Sequence, residues 1–323
     1  MSKRRAVITR MAYALGDQTF GVEESAKRGL TLSPSEVLKD AGFSQHSIAS
    51  ANLSAYQLAY QSVKKLEDPQ LKDVDAIVYA TCIPVNSNVG SSEKATASRD
   101  VKHLMDYPGS HLQADFAMDK AILFGLTQQA CTGLLGGLRL AKMLIETEPT
   151  IKKVLCLTAD RFPEGALYEQ AYNLICDGAA AAMVEADAEG YEIQTCHQIT
   201  NGAMAQASDD ETVGHFFNYT SRLVQETLAR NESRMPDIRW IVPQNTNSKA
   251  WQILGRVLGF PFEKVALKTL ASVGHMISGD NIVNLLALDQ AGEIKTGDKL
   301  LLLMAGYGLN WQSIILQKTG GLK

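Results

Sequence analysis

Short aliphatic runs alternate along this chain with longer stretches whose apolar positions recur at helical spacing. Residues 75–81 (DAIVYAT) read as a buried strand, residues 122–126, 154–159 and 179–184 as further strands, and residues 6–9 as a first strand leading into a turn. Residues 132–145 (TGLLGGLRLAKMLI) read as an apolar helix. The second half repeats the rhythm, with a strand at 240–242, helices at 248–258 and 281–290, and a strand at 299–305. This is α/β patterning. The halves also rhyme: VDAIVYATCIP and IRWIVPQNTNS each run from a charged lead-in through a short strand to a polar turn, which suggests a duplicated unit. The polar stretch 185–190 marks the boundary, giving halves 1–187 and 188–323. Residues 85–113, rich in Ser, Asn, Lys and Asp, form a connection long enough to be a lid or an interface segment, and are expected to shape the acceptor side of a site.

Composition narrows the classes. The 323 residues are 46% hydrophobic and 20% charged, ordinary for a globular protein with a large core or two fused ones. A net charge of −4 gives no electrostatic case for nucleic acid. No apolar run approaches the roughly 20 residues of a membrane span, and Thr9, Arg10 and Asp17 interrupt any leader-like pattern at the start. The five cysteines are scattered, odd in number and without a CxxC spacing, which argues against a disulfide framework or a metal site and for a reducing, cytoplasmic setting.

One of those thiols stands out. In QQACTGLLGG, Cys131 follows a strand and precedes an apolar helix. Unpaired N–H groups and the positive end of the helix dipole at such a place stabilise a thiolate. The local sequence fits a buried core cysteine equally well. In SVGHMISGDN, glycines flank a turn that presents His275, and Asp280 stands at a helix start, where it either caps the helix or accepts from the imidazole and makes it a better base. Two polar turns follow strands: Pro243 to Lys249, and the Gly-rich Ala305 to Trp311, whose N–H groups suit a developing oxyanion.

Taken as an ordered set, VDAIVYAT, Ala130-Cys131-Thr132-Gly133, Cys176-Asp177-Gly178, Val242-Pro243-Gln244-Asn245-Thr246-Asn247, Gly274-His275 and Gly306-Tyr307-Gly308 resemble the thiolase-fold family in its ketoacyl synthase III-like branch. The resemblance spans about residues 70 to 312. It implies a five-layered αβαβα fold of two similar halves, and a homodimer. It implies Cys131 as nucleophile, an oxyanion hole from the N–H groups of Cys131 and Gly308, and a phosphopantetheine tunnel with Gln244 and Asn247 along its wall. It places Lys249 where a basic residue helps dock an acidic carrier protein. No metal or bound cofactor is implied; the donor is an acyl-CoA or an acyl carrier protein.

The chain departs from the branch's condensing members, which carry His at position 244 and Asn at position 275. Gln244 cannot take up a proton near neutral pH. The Cys131–His275–Asp280 set is similar to that of the branch's acyltransferases, which form esters or amides in natural-product biosynthesis. Acyl transfer from Cys131 to a hydroxyl or amine of a small-molecule acceptor is therefore the expected function. The alternatives are carbon–carbon condensation and a silent subunit of a heterodimer. Cys82, Cys156 and Cys176 are expected to be packing residues. His103 and His111 are expected to be solvated, and the adjacent Cys196 and His197 to face opposite sides of a strand.

Overall fold

The computed structural model describes residues 4–307 and 309–323. Nine strands form one sheet: β1 (Ala6–Leu15), β2 (Ala76–Ala80), β3 (Ile122–Leu126), β4 (Lys153–Asp160), β5 (Gly178–Ala186), β6 (Tyr191–Thr200), β7 (Ile238–Val242), β8 (Lys299–Gly306) and β9 (Asn310–Lys318). Their order is β7-β8-β9-β6-β1-β5-β4-β2-β3. The helices that cover the sheet are α1 (Ala55–Lys64), α2 (Gly133–Thr147), α3 (Asp209–Arg230), α4 (Ser248–Leu258) and α5 (Asp280–Gln290).

The pairing repeats itself. From β1 the order runs antiparallel to β5, antiparallel to β4, then parallel to β2. From β6 it runs antiparallel to β9, antiparallel to β8, then parallel to β7. The two sets meet only where Val7 and Ile8 of β1 pair with Glu192 and Tyr191 of β6. β2 and β7, the strands of the two similar sequence segments, hold equivalent places in this repeat.

Strand alternation builds the layers. Ala76 and Val78 of β2 join the central core with α2 and α5, whereas Ile77 and Tyr79 join a second core with α1. In the other half Leu300 and Leu302 face the same central helices, and Leu301 and Leu303 pack with α3 and α4. The result is five layers: α1, a sheet half, α2 with α5, a sheet half, α3 with α4. Burial on both faces explains the apolar runs Val154–Leu157 of β4 and Ala179–Val184 of β5. α5 carries two fully buried asparagines. Asn281 donates to the carbonyls of Val242 (2.8 Å) and Leu303 (3.1 Å), and Asn284 to that of Pro243 (3.2 Å), which ties the helix to β7, β8 and the turn after β7.

Among the described residues no helix is long and apolar enough to cross a membrane. The 85–113 segment is more ordered than its composition suggests. It contains helix Ser92–Ser98 and most of helix Pro108–Asp115, which packs beside β3, whose outer edge is open.

Candidate active site

Cys131 sits in a 3-10 turn (Ala130–Thr132) that runs directly into α2. Its N–H is therefore among the first of a helical segment, where donors lack carbonyl partners within the helix. The residue before it, Ala130, has φ +46°, left-handed backbone that costs a non-glycine residue about 1–3 kcal/mol and persists only where the surroundings enforce it. Ser278 enforces it by donating to the Ala130 carbonyl (3.1 Å). The end of β8 presses against the same turn. A Cβ on Gly306 would fall 2.8 Å from the Cys131 nitrogen, so glycine is required for the approach.

His275 is delivered by a second turn. Gly274 (φ +79°) reverses the chain; His275 N–H then donates to the Leu174 carbonyl (2.8 Å) and its carbonyl accepts from Cys176 N–H (2.9 Å). The Cys176–Asp177 motif thus clamps the main chain of the histidine. Asp177 is fixed in turn by the N–H groups of Ala49 and Phe162 and by the Tyr168 hydroxyl. The His275 ring donates from Nδ1 to Asp280 Oδ2 at 2.5 Å, which leaves Nε2 for the thiol. Asp280 is the first residue of α5, with Gly279 in the capping position, so the capping reading fails. Its carboxylate points back over the turn, where it also accepts from the N–H groups of Asn245 (2.6 Å) and Met276 (2.7 Å). Asn245 braces both members of the pair, since its Nδ2 donates to the Gly274 carbonyl at 2.9 Å.

The electrostatics favour an ion pair. Cys131 is held below the ordinary thiol range, to about 5: a hydrogen bond with Cys82 and one with His275 outweigh the opposing effect of burial. Burial alone would lower His275, but the charge and hydrogen bond of Asp280 and the hydrogen bond with Cys131 raise it to about 10. Both shifts favour thiolate and imidazolium as the resting pair.

Cys131 and His275, each 6% exposed, line one cleft of about 320 Å³. Gln244, Asn247 and Lys249 line it too. Gln244 Oε1 accepts from Ala305 N–H (2.5 Å), which turns its amide donors away from that strand. Asn247 caps α4 by accepting from Lys249 N–H (3.0 Å). Lys249 is ion-paired with Asp40 at the surface, an exposed pair that contributes about 0–1 kcal/mol. Gly308 lies outside the described residues.

One expectation is corrected. None of the described residues lining the cleft comes from 85–113, because that segment follows the β3 edge instead. Cys82 packs against the central core as expected, and its sulfur also lies 4.0 Å from that of Cys131. His111 is exposed as expected and pairs with Asp106 (2.6 Å). The apolar wall of the cleft (Phe216, Phe217, Ala250, Ile253, Leu309 and Trp311) was not read from the sequence. Its helix α3 carried a legible signal: Ser208 and Glu211 form a capping box at its start.

Residues 127–202 match the family description 3-oxoacyl-[acyl-carrier-protein] synthase III, and residues 228–318 match its C-terminal part. Together they take in just over half of the chain and include Cys131, Gln244 and His275. The chain belongs to the 3-oxoacyl-[acyl-carrier-protein] synthase III-like family. Within it, the chain is 27% identical over 319 residues to the β-ketoacyl-[acyl-carrier-protein] synthase III of Campylobacter curvus, covering 88% of each protein. The synthase III of Wolbachia pipientis subsp. Culex pipiens is 27% identical over 212 residues, 59% of this chain and 65% of that one, so this match falls short of two thirds of the relative. Among solved structures, the acyltransferase ChlB3 superposes with a TM-score of 0.79 at 18% identity, covering 98% of this chain and 99% of that one. Synthase and acyltransferase share one synthase III-like fold, so the fold does not select the reaction.

Proposed function

We propose that this protein is a thioester-dependent acyltransferase that loads an acyl group on Cys131 and passes it to a hydroxyl or amine, with His275 as the base. The observation that carries this reading is the 2.5 Å bond from His275 to Asp280, in a cleft shared with Cys131 where position 244 holds an amide. The ion pair balances the protons of both steps. The thiolate attacks the thioester carbonyl; the donor's thiol leaves and takes the proton of His275 Nε2. The imidazole, now neutral and held by Asp280, accepts the proton of the attacking acceptor as Cys131 departs as thiolate, and the starting pair is restored. In this reading the Cys131 N–H, at the start of a helical segment, holds the oxyanion in both steps.

The apolar wall and the Asn247 side of the cleft suit a phosphopantetheine arm, from CoA or an acyl carrier protein. The partner of Lys249, Asp40, weakens the case for Lys249 as a strong anchor for an acidic carrier. The repeat in strand pairing supports two halves, 1–187 and 188–323, and the free cysteines fit a cytoplasmic setting. The open edge of β3, with Ile122 and Leu123 exposed upon it, supports a homodimer through antiparallel β3 pairing. Sedimentation should then give twice the chain mass, and Leu123→Lys should shift it toward one; a monomeric wild type ends that part of the reading.

The function is tested by intact mass after mixing with acyl-CoA and acyl-carrier donors, followed by candidate acceptors. Acyl mass on Cys131 that disappears as an ester or amide forms supports the proposal. A new carbon–carbon bond would make the protein a condensing enzyme. A chain that never gains acyl mass would be a silent subunit.

A further inference from the structure

The acyl chemistry makes no direct use of Cys82, yet this side chain stands against the nucleophile. Beyond β2 the chain turns at Thr81 and Cys82, and Asp160 at the end of β4 anchors the turn. Its carboxylate accepts from Thr81 Oγ1 (2.5 Å), from the N–H groups of Cys82 and Ile83 (both 3.0 Å) and from Asn86 Nδ2 (3.2 Å). The backbone of Cys82 is therefore fixed while its sulfur rests 4.0 Å from that of Cys131. Bonded sulfurs are about 2.05 Å apart, so joining these two needs an approach of about 2 Å by two unbranched side chains. Cys156 and Cys176 differ: both are fully buried, and their thiols donate to the carbonyls of Gly137 and Asp177.

We infer that Cys82 and Cys131 are the two halves of a reversible disulfide, formed when the site meets a peroxide, that closes the acyl site. The Cys131 thiolate attacks one oxygen of the peroxide; the O–O bond breaks, the sulfur becomes a sulfenic acid, and the departing hydroxide takes the proton of the His275 imidazolium as water. The Cys82 sulfur then attacks that sulfur; the S–S bond forms, the S–O bond breaks, and the departing hydroxide takes the Cys82 proton as water. Two thiols are oxidised by two electrons, and one hydrogen peroxide is reduced to two waters. A resolving thiol this close intercepts the sulfenic acid before it reaches the irreversible sulfinic state. The cleft opens onto Cys131, which gives the oxidant its path.

The inference rests on the reading of Cys131 as the accessible thiolate of the site, but its test uses no acyl donor. The full chain is treated with hydrogen peroxide, alkylated with iodoacetamide and mapped by peptide mass spectrometry. The expected result is a loss of two hydrogens, a linked peptide joining Cys82 to Cys131, and recovery of both thiols with dithiothreitol. Cys82→Ala should instead add oxygen at Cys131 that dithiothreitol fails to remove after long exposure. Wild-type protein in which Cys131 gains oxygen while Cys82 is still alkylated overturns the inference without recourse to any variant. A disulfide in a chain that never takes up acyl mass would uphold the switch and sink the transferase reading. Acyl loading without the link would do the reverse.

Discussion

His275→Ala should separate the two half-reactions. Transfer from acyl-Cys131 to the acceptor should fall by roughly 10²–10⁴-fold, the usual contribution of a positioned general base. Loading should survive in slower form, because the variant loses only one of the two hydrogen bonds that hold the Cys131 thiolate, the one from Cys82 remaining. Raising the pH should restore the rate of loading but not of transfer, since hydroxide replaces the missing proton acceptor only for the thiol. Rapid-mixing intact-mass measurements read both steps in one experiment. An acyl-enzyme that passes its group to the acceptor at the wild-type rate removes His275 from the mechanism.

The second large effect is the pH profile of Cys131 itself. With its thiol at about 5, alkylation by iodoacetamide should be flat through neutral pH and fall about tenfold per unit below the midpoint. The sign follows from the charge: acid protonates the thiolate, and the raised His275 stays cationic throughout this range. An ordinary thiol of pKa 8.5 is only about 0.3% ionised at pH 6. The lower basicity of the Cys131 thiolate costs part of that advantage, leaving a rate gain on the order of tenfold at pH 6. Cys82→Ala should move the midpoint upward, because the Cys82 hydrogen bond is the largest cause of the depression. A rate that climbs steadily to pH 8 and beyond would show an unperturbed thiol and dissolve the ion pair.

Much of this site could be read without coordinates. A cysteine between a strand and a glycine-rich helix is a local pattern. So is a histidine five residues before an acid at a helix start. Strands 122–126 and helix 248–258 were legible to the residue because turn residues and alternation bound them on both sides. Others were not. β6 and β9 carry several polar residues, Gln194, His197, Gln312 and Ser313 among them, which bond to other side chains within the sheet and its covering helix. Such strands look like surface in a one-dimensional reading, because polarity reports solvent only until a partner is known.

The sequence by itself determined the periodicities of the strands and helices and the local turns that carry Cys131, His275 and Asp280, while the five layers came with the family resemblance. Tertiary structure alone decided what those groups meet. The register of β2 against β4 places the Cys82 turn on Asp160 and its sulfur on Cys131. The pairing of His275 main chain with Leu174 and Cys176 aims its ring, and the carboxylate of Asp280, a conventional helix cap on paper, is turned to the imidazole by Asn245 and Met276. Side-chain spacing along a chain says which face of an element is buried, but contacts between elements depend on how sheets register and helices cross, and those are set by the whole core at once.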